Sequence, residues 1–369
     1  MRLLDLCDIK YGYAFDSKRF TDNPIYPPLV RIRDVKRGFS ETFYAGEYSK
    51  EYLLHKGDLL IGMDGEFNIA RWKSVDALLN QRVCKISAKK GTNEEYIRFA
   101  LSKKLKNIED KTSFVTVKHL SARELSTIEF TMPEYEKQRK IADILVSIEN
   151  IIEKKKQELE QLDTFVKSRF VELFGNPISN SYGLPEATLP ELGEFGRGVS
   201  KHRPRNDPRL LDGEYPLIQT GDIANTDLYI TLYNSTYSEL GLQQSKMWNK
   251  GTLCITIAAN IAKTAILGFD ACFPDSVVGF NANERTNNIF IHYWFSFFQS
   301  ILESQAPESA QKNINLKILS ELKVIVPKKE KQDEFVEFIN QLDKSKSKIQ
   351  KSLEETQLLF DSLMQKYFG

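Results

Sequence analysis

A chain of 369 residues, 41% hydrophobic and 27% charged, is long enough for two soluble domains, each with its own core. The net charge of +1 does not announce a nucleic-acid binder, although the first globular segment leans basic and the second acidic. Cys7, Cys84, Cys254 and Cys272 stand far apart with no C-x-x-C pair, so buried thiols in a reducing cytosol are expected rather than zinc ligands or disulfides.

Met1-Arg2-Leu3-Leu4-Asp5 carries no secretory apolar core, and no apolar run reaches the roughly 20 residues of a membrane helix, so a cytoplasmic protein with no membrane contact is expected. Residues 1–132 mix short apolar runs with turn signals. Leu29-Val30-Arg31-Ile32 and Asp58-Leu59-Leu60-Ile61 are predicted strands. Asn93 to Lys106 is a predicted helix, capped by Thr92 or Asn93, with Tyr96, Phe99 and Ala100 on one face. The segment is expected to be a compact α/β (α+β) domain.

Residues 133–175 carry apolar positions in alternating steps of four and three: Ile141, Leu145, Ile148, Ile152, Leu159, Leu162, Val166 and Leu173. That pattern is a coiled-coil seam, with Lys155 as a polar intruder. Residues 327–369 repeat it without a gap: Pro133, Glu136 and Gln138 fall on Pro327, Glu330 and Gln332, and Leu173-Phe174-Gly175 on Tyr367-Phe368-Gly369. The second seam runs through Phe335, Ile339, Leu342, Ile349, Leu353, Phe360 and Leu363, with Lys346 and Thr356 as its intruders. Helices of about 40 residues span roughly 60 Å and, with one apolar stripe each, need a partner. Two long helices packed as an antiparallel coiled coil are therefore expected.

Asn176 to Gly193, rich in Pro, Gly, Ser and Asn, reads as a linker, and Phe195-Gly196-Arg197-Gly198 as a turn. Residues 176–326 carry this linker and a second globular domain, with Phe290–Phe298 as a core helix. Its landmarks repeat those of the first. Pro28–Val35 matches Pro216–Ile223, Lys56–Ile61 matches Lys250–Ile255, and Lys118-His119-Leu120-Ser121 matches Lys312-Asn313-Ile314-Asn315. An internal pseudo-two-fold repeat follows, in which two copies of one binding module carry divergent loops.

Catalytic motifs are scarce. There is no P-loop, His55, His119, His202 and His292 are scattered, Asn23-Pro24 and Asn176-Pro177 lack the aromatic follow-up of an adenine methyltransferase, and Asp64-Gly65-Glu66 lacks the lysine and third acid of a nuclease. Polar clusters suited to nucleic acid are better represented. In the first domain they are Arg31, Arg33, Lys36 and Arg37, then Arg71, Lys73 and Arg82, then Lys111, Ser113, Lys118 and His119. In the second they are Lys201, Arg203 and Arg205, then Gln219, Asn260 and Lys263, then Gln311, Lys312 and Asn313. Arg and Lys suit guanine edges and phosphates; Asn and Gln suit adenine edges. Each cluster taken singly also fits a solvated surface.

The order domain–helix–domain–helix resembles the specificity subunit of type I restriction–modification systems over nearly the whole chain. The resemblance is carried by Pro133, Glu136, Gln138, Ile141, Ile144, Ile148, the run Glu153–Lys156 and the close Leu173-Phe174-Gly175, with residues 327–369 as a second copy. Pro28–Val35, Lys56–Leu60 and Lys118–Leu120 carry it within the recognition domains. It implies a non-catalytic subunit that binds a bipartite, asymmetric target on double-stranded DNA. It further implies two methyltransferase subunits, which use S-adenosylmethionine, and two restriction–translocase subunits, which use ATP and Mg, with no cofactor held by this chain. A two-domain protein-binding scaffold, a fused nuclease or methyltransferase fragment, and a specificity protein serving another effector remain open at this point.

Overall fold

The structure is a computed structural model and describes residues 1–111, 118–258, 260–305 and 314–369, the side chains of 111, 300 and 303–305 excepted. It divides into two compact units, residues 1–157 with 350–369, and residues 158–349. No helix of the described residues is long and apolar enough to cross a membrane.

In the first unit, β1 (Cys7–Tyr11), β2 (Leu29–Val30), α1 (Ile32–Arg37), β3 (Leu53–Leu54), β4 (Leu59–Gly62), β5 (Ile69–Arg71), β6 (Ala77–Leu79), β7 (Val83–Ala88) and α2 (Glu94–Lys111) follow in chain order. One sheet runs β1-β7-β4-β5, antiparallel throughout. A smaller one runs β2-β6-β3, in which β2 and β6 are parallel and pair Leu29 with Leu78 and Val30 with Leu79. The continuous apolar run of β4 is buried along its whole length, as a central strand requires. Gly57, at φ 97°, makes the left-handed turn into it, a conformation that favours glycine.

The expected strand Leu29–Ile32 stops two residues early. Asp34, buried on α1, accepts the backbone amide of Arg31 at 2.9 Å and so starts a helix at Ile32. The capping chemistry overrides the apolar run. The helix expected over Asn93–Lys106 runs on to Lys111, and the Asn93 carboxamide accepts the Tyr96 amide at 2.9 Å.

In the second unit come β8 (Gly193–Arg197), β9 (Leu211–Leu217), α3 (Thr220–Ala224), β10 (Tyr229–Ile230), β11 (Ser235–Tyr237), β12 (Met247–Trp248), β13 (Leu253–Thr256), β14 (Thr264–Leu267), β15 (Ala271–Cys272), β16 (Val277–Ala282) and α4 (Asn288–Gln305). The order β8-β16-β13-β14-β10 repeats that of the first unit and adds one strand. Beside it β11-β9-β15-β12 again sets two parallel neighbours together, with Leu217 against Cys272. Gly251, at φ 91°, turns into β13 as Gly57 turns into β4. Phe290, Ile291, Trp294 and Phe295 of α4 are buried in the core.

Two expectations need correction here. Phe195-Gly196-Arg197 is not a turn but most of β8, whose Gly196 pairs with Gly279. A Cβ on Gly279 would stand 2.5 Å from the Trp248 ring, so small residues let the ring lie against the strand. Part of the expected linker is ordered secondary structure: Glu186–Thr188 pairs antiparallel with Lys323–Ile325, and Leu189–Leu192 is a short helix.

The two long helices are Tyr135–Phe174 and Lys329–Phe368, each 40 residues. Within the first unit, Ile141, Ala142 and Leu145 share a core with Ile97, Phe99 and Leu101, and Phe360, Leu363 and Phe368 pack against it. Within the second, Val166, Phe170 and Phe174 share a core with Phe335, Ile339 and Leu342. Ile148 and Ile152 are also buried; Leu159, Leu162, Ile349, Leu353, Phe360 and Leu363 are partly buried. The intruders have partners. Lys155 donates to the Ser352 hydroxyl at 2.5 Å, and the Thr356 hydroxyl donates to the Ser352 carbonyl at 2.6 Å. Lys346 lies between Asp163 and Asp227; burial pulls its ammonium down, and the two carboxylates more than offset this, leaving its pKa above the ordinary lysine value.

A buried glutamine fixes the start of each long helix. Gln138 donates to the Pro133 carbonyl at 2.8 Å and accepts the Asn93 amide at 2.9 Å. Gln332 donates to the Pro327 carbonyl at 2.9 Å and accepts the Thr286 hydroxyl at 2.9 Å.

Candidate nucleic-acid interface

Parallel neighbours end at the same edge of a sheet, so the segments that follow them are brought side by side. In the first unit this sets Arg31, Ile32 and Arg33, after β2, beside Asn80, Gln81 and Arg82, after β6, with Phe15, Ser17 and Phe20 closing a groove of about 510 Å³. The Asn80–Arg82 turn is held by Tyr13, whose amide donates to the Leu79 carbonyl and whose carbonyl accepts the Gln81 amide, both at 2.9 Å.

The second unit builds a groove of about 300 Å³ from the same framework. Gln219 and Thr220, after β9, meet Pro274 and Ser276, after β15, with Arg205, Asn206, Leu211, Leu217, Ser235 and Tyr237 around them. Asp222 accepts the Gln219 amide at 2.8 Å, as Asp34 accepts that of Arg31.

Charge neutralisation separates the candidate residues. Arg33 lies 3.7 Å from Asp34 and donates to the Thr42 hydroxyl at 3.3 Å. Arg82 reaches Asp64 at 3.3 Å, and the same carboxylate meets His119 at 2.5 Å. Lys36 pairs with Glu66, Arg37 with Glu41 and Lys118 with Glu109, at 3.7, 3.4 and 3.3 Å. Arg71 is taken up internally by Glu94 at 2.8 Å, by Glu95, and by the Gly57 carbonyl at 2.6 Å. It ties β5 to α2 and lines no part of the groove. Among the described residues, the Arg31 side chain has no hydrogen-bond or ion-pair partner.

In the second unit, Arg203 and Arg205 both pair with Asp275, and Arg203 also donates to the Ser200 carbonyl at 2.6 Å. Asp207 is held well below the usual carboxylate range by Arg209, with His202 adding to it. Lys201 is exposed, and its backbone amide donates to the Gln244 carbonyl at 3.3 Å. Asn260 and Lys263 belong to the β13–β14 connection and line no part of the groove. The exposed Lys73 lies outside the first groove. Ser113, Gln311, Lys312, Asn313 and the Lys111 side chain lie outside the described residues.

The grooves also contain residues that the sequence clusters passed over: Asn80 and Ser17 in one, Asn206, Ser235 and Ser276 in the other. The signal for Asn80 and Ser276 lay in the repeat, since each follows the strand parallel to the Pro28 or Pro216 landmark. The third landmark repeats in three dimensions. Leu120 donates its amide to Met63 at 2.7 Å and Ile314 to Ile257 at 3.0 Å, while Ser121 and Asn315 cap the short helices that follow.

The chain matches the model of the type I restriction modification DNA specificity domain twice, over residues 1–162 and 186–356. It is 29% identical to the type I restriction enzyme EcoBI specificity subunit of Escherichia coli, over 98% of this chain and 84% of that protein. A second relative is the MjaVIII specificity subunit of Methanocaldococcus jannaschii, 28% identical over 44% of this chain and 42% of its own. Among solved structures, the S subunit of a type I restriction–modification system from M. genitalium superposes with a TM-score of 0.61 at 16% identity, covering 100% of this chain and 95% of that one. A chain from a structure of the type I R-M system on complex assembly and conformational transition gives 0.54 at 15% identity, covering 100% and 96%. These two share the fold.

Proposed function

We propose a function from this premise: the chain belongs to the type I restriction–modification DNA specificity family. It reads a bipartite, asymmetric sequence on double-stranded DNA, one half by residues 1–132 and the other by residues 176–326. Residues 133–175 and 327–369 form an antiparallel coiled coil that relates the two modules by a pseudo-two-fold axis and sets the unread gap. The observation that carries this reading is the pair of grooves built on one framework and lined by different side chains. A common scaffold with divergent linings suits two readers of different half-sites.

Both grooves combine cations, which suit phosphates and guanine edges, with amides and hydroxyls for base edges. Two readers on one face of a duplex sit about one helical turn apart, roughly 34 Å. The chain itself does no chemistry. Two methyltransferase subunits supply S-adenosylmethionine and the methyl transfer, and two restriction–translocase subunits supply ATP-driven, Mg-dependent cleavage.

The test is to co-express the chain with a type I methyltransferase subunit and map methyladenine across the host genome. One split motif with a fixed gap is the expected outcome. A stable complex that methylates without sequence preference overturns the reading.

A further inference from the structure

We propose that Arg31 and Gln219 are equivalent specificity-determining residues, Arg31 reading a guanine in one half-site and Gln219 an adenine in the other. The proposal rests on the DNA-reading function above and assigns it to one position in each groove. Both residues stand immediately before a short helix, at the end of a strand whose parallel neighbour supplies the opposite lip. Both have their backbone fixed by a carboxylate three residues on, at 2.9 and 2.8 Å. The framework thus presents the two side chains alike and leaves their chemistry to differ.

Arg31 is distinguished from the other candidate arginines of its domain by its lack of an internal acceptor. Arg33, Arg37, Arg71 and Arg82 each have a carboxylate within 4 Å. Arg31 lines the groove, half-buried, with no such carboxylate among the described residues. A guanidinium held so, with its donor fork uncommitted, matches the two acceptors O6 and N7 of guanine. In the other groove, Gln219 Nε2 donates to the Ser235 hydroxyl at 3.3 Å. That contact uses one of its two protons and orients the carboxamide. The second Nε2 proton and Oε1 remain for adenine N7 and N6.

The experiment is a selection from a randomised duplex pool at low salt, with the full chain as wild type, R31K, R31Q and Q219R. The wild type enriches a two-part motif with guanine at one position of one half and adenine at one position of the other. R31K keeps the charge and loses the bidentate fork, so preference at the guanine position falls by roughly tenfold to a hundredfold. R31Q turns that position toward adenine, and Q219R turns the adenine position of the other half toward guanine. In every variant the untouched half-site persists, which shows the variant folded. If R31K and R31Q instead lower retention of all duplexes alike, with base frequencies intact, Arg31 contacts phosphate and the inference fails while the DNA-reading function stands. A wild type that enriches no two-part motif overturns that function and the inference together.

Discussion

Burial decides which polar residues work for stability and which are left for binding, and His292 shows the first kind. Its ring lies in the core of the second unit, 2.9 Å from the Thr264 hydroxyl, and burial pushes its pKa down from 6.5 to about 4. The folded state therefore refuses a proton that the unfolded chain accepts. Stability is whole above pH 6.5 and is lost as the pH falls toward 4. We expect the second unit to lose about 2 kcal/mol between pH 7 and pH 5 from this group. Urea denaturation of the wild type and of His292→Asn at both pH values checks it; an equal loss in the variant would assign the effect elsewhere. The same distinction limited what sequence could say of single residues. Arg31 and Arg71 are alike as letters, and the difference lies in Glu94 and Glu95, which reach Arg71 from a helix 23 residues further on.

Elements were more legible, because a period repeated over many residues outweighs any local exception. Both 40-residue helices follow from the four–three spacing, and the landmark Lys-Gly turns follow from glycine's left-handed φ. Short elements were harder. One aspartate cap ended β2 early, and glycines that read as a turn made β8. The repeated glutamine is testable at this scale. Replacing Gln332 with Ala leaves the buried Thr286 hydroxyl and the Pro327 and Arg285 carbonyls without this partner, which costs about 2 to 3 kcal/mol. A midpoint shift in thermal unfolding of the second unit measures it, and an unchanged midpoint would mean that water replaces the amide. The helices carry a second prediction. Deleting residues 151–157 together with 350–356 removes one heptad from each and takes away Lys155 with its acceptor Ser352. Seven residues are about 10 Å of helix, or roughly three base pairs. The gap in the methylated motif should shorten by about that amount with both half-sites intact; a gap of unchanged length would sink the spacer role.

At the scale of the whole molecule, the grooves were illegible for a topological reason. Arg31 and Arg82 are 51 positions apart, and parallel pairing of two short strands is what joins them; no local period encodes it. What the sequence did carry is modularity. Each unit repeats the strand order, the glycine turn, the paired parallel strands and the glutamine anchor, using residues of its own. Each groove is lined from within one unit. A module so closed should be exchangeable. Replacing residues 1–132 with the same segment of another family member, joined at the Pro133 landmark, should change one half of the methylated motif and leave the other half and the gap as they were. The join keeps Gln138 and the Pro133 carbonyl together and asks of the donor domain an amide where Asn93 now stands. Methylome mapping of the hybrid reads all three quantities at once. Change in both halves would mean that the modules read the duplex jointly, and the independence of the two grooves would fall with it.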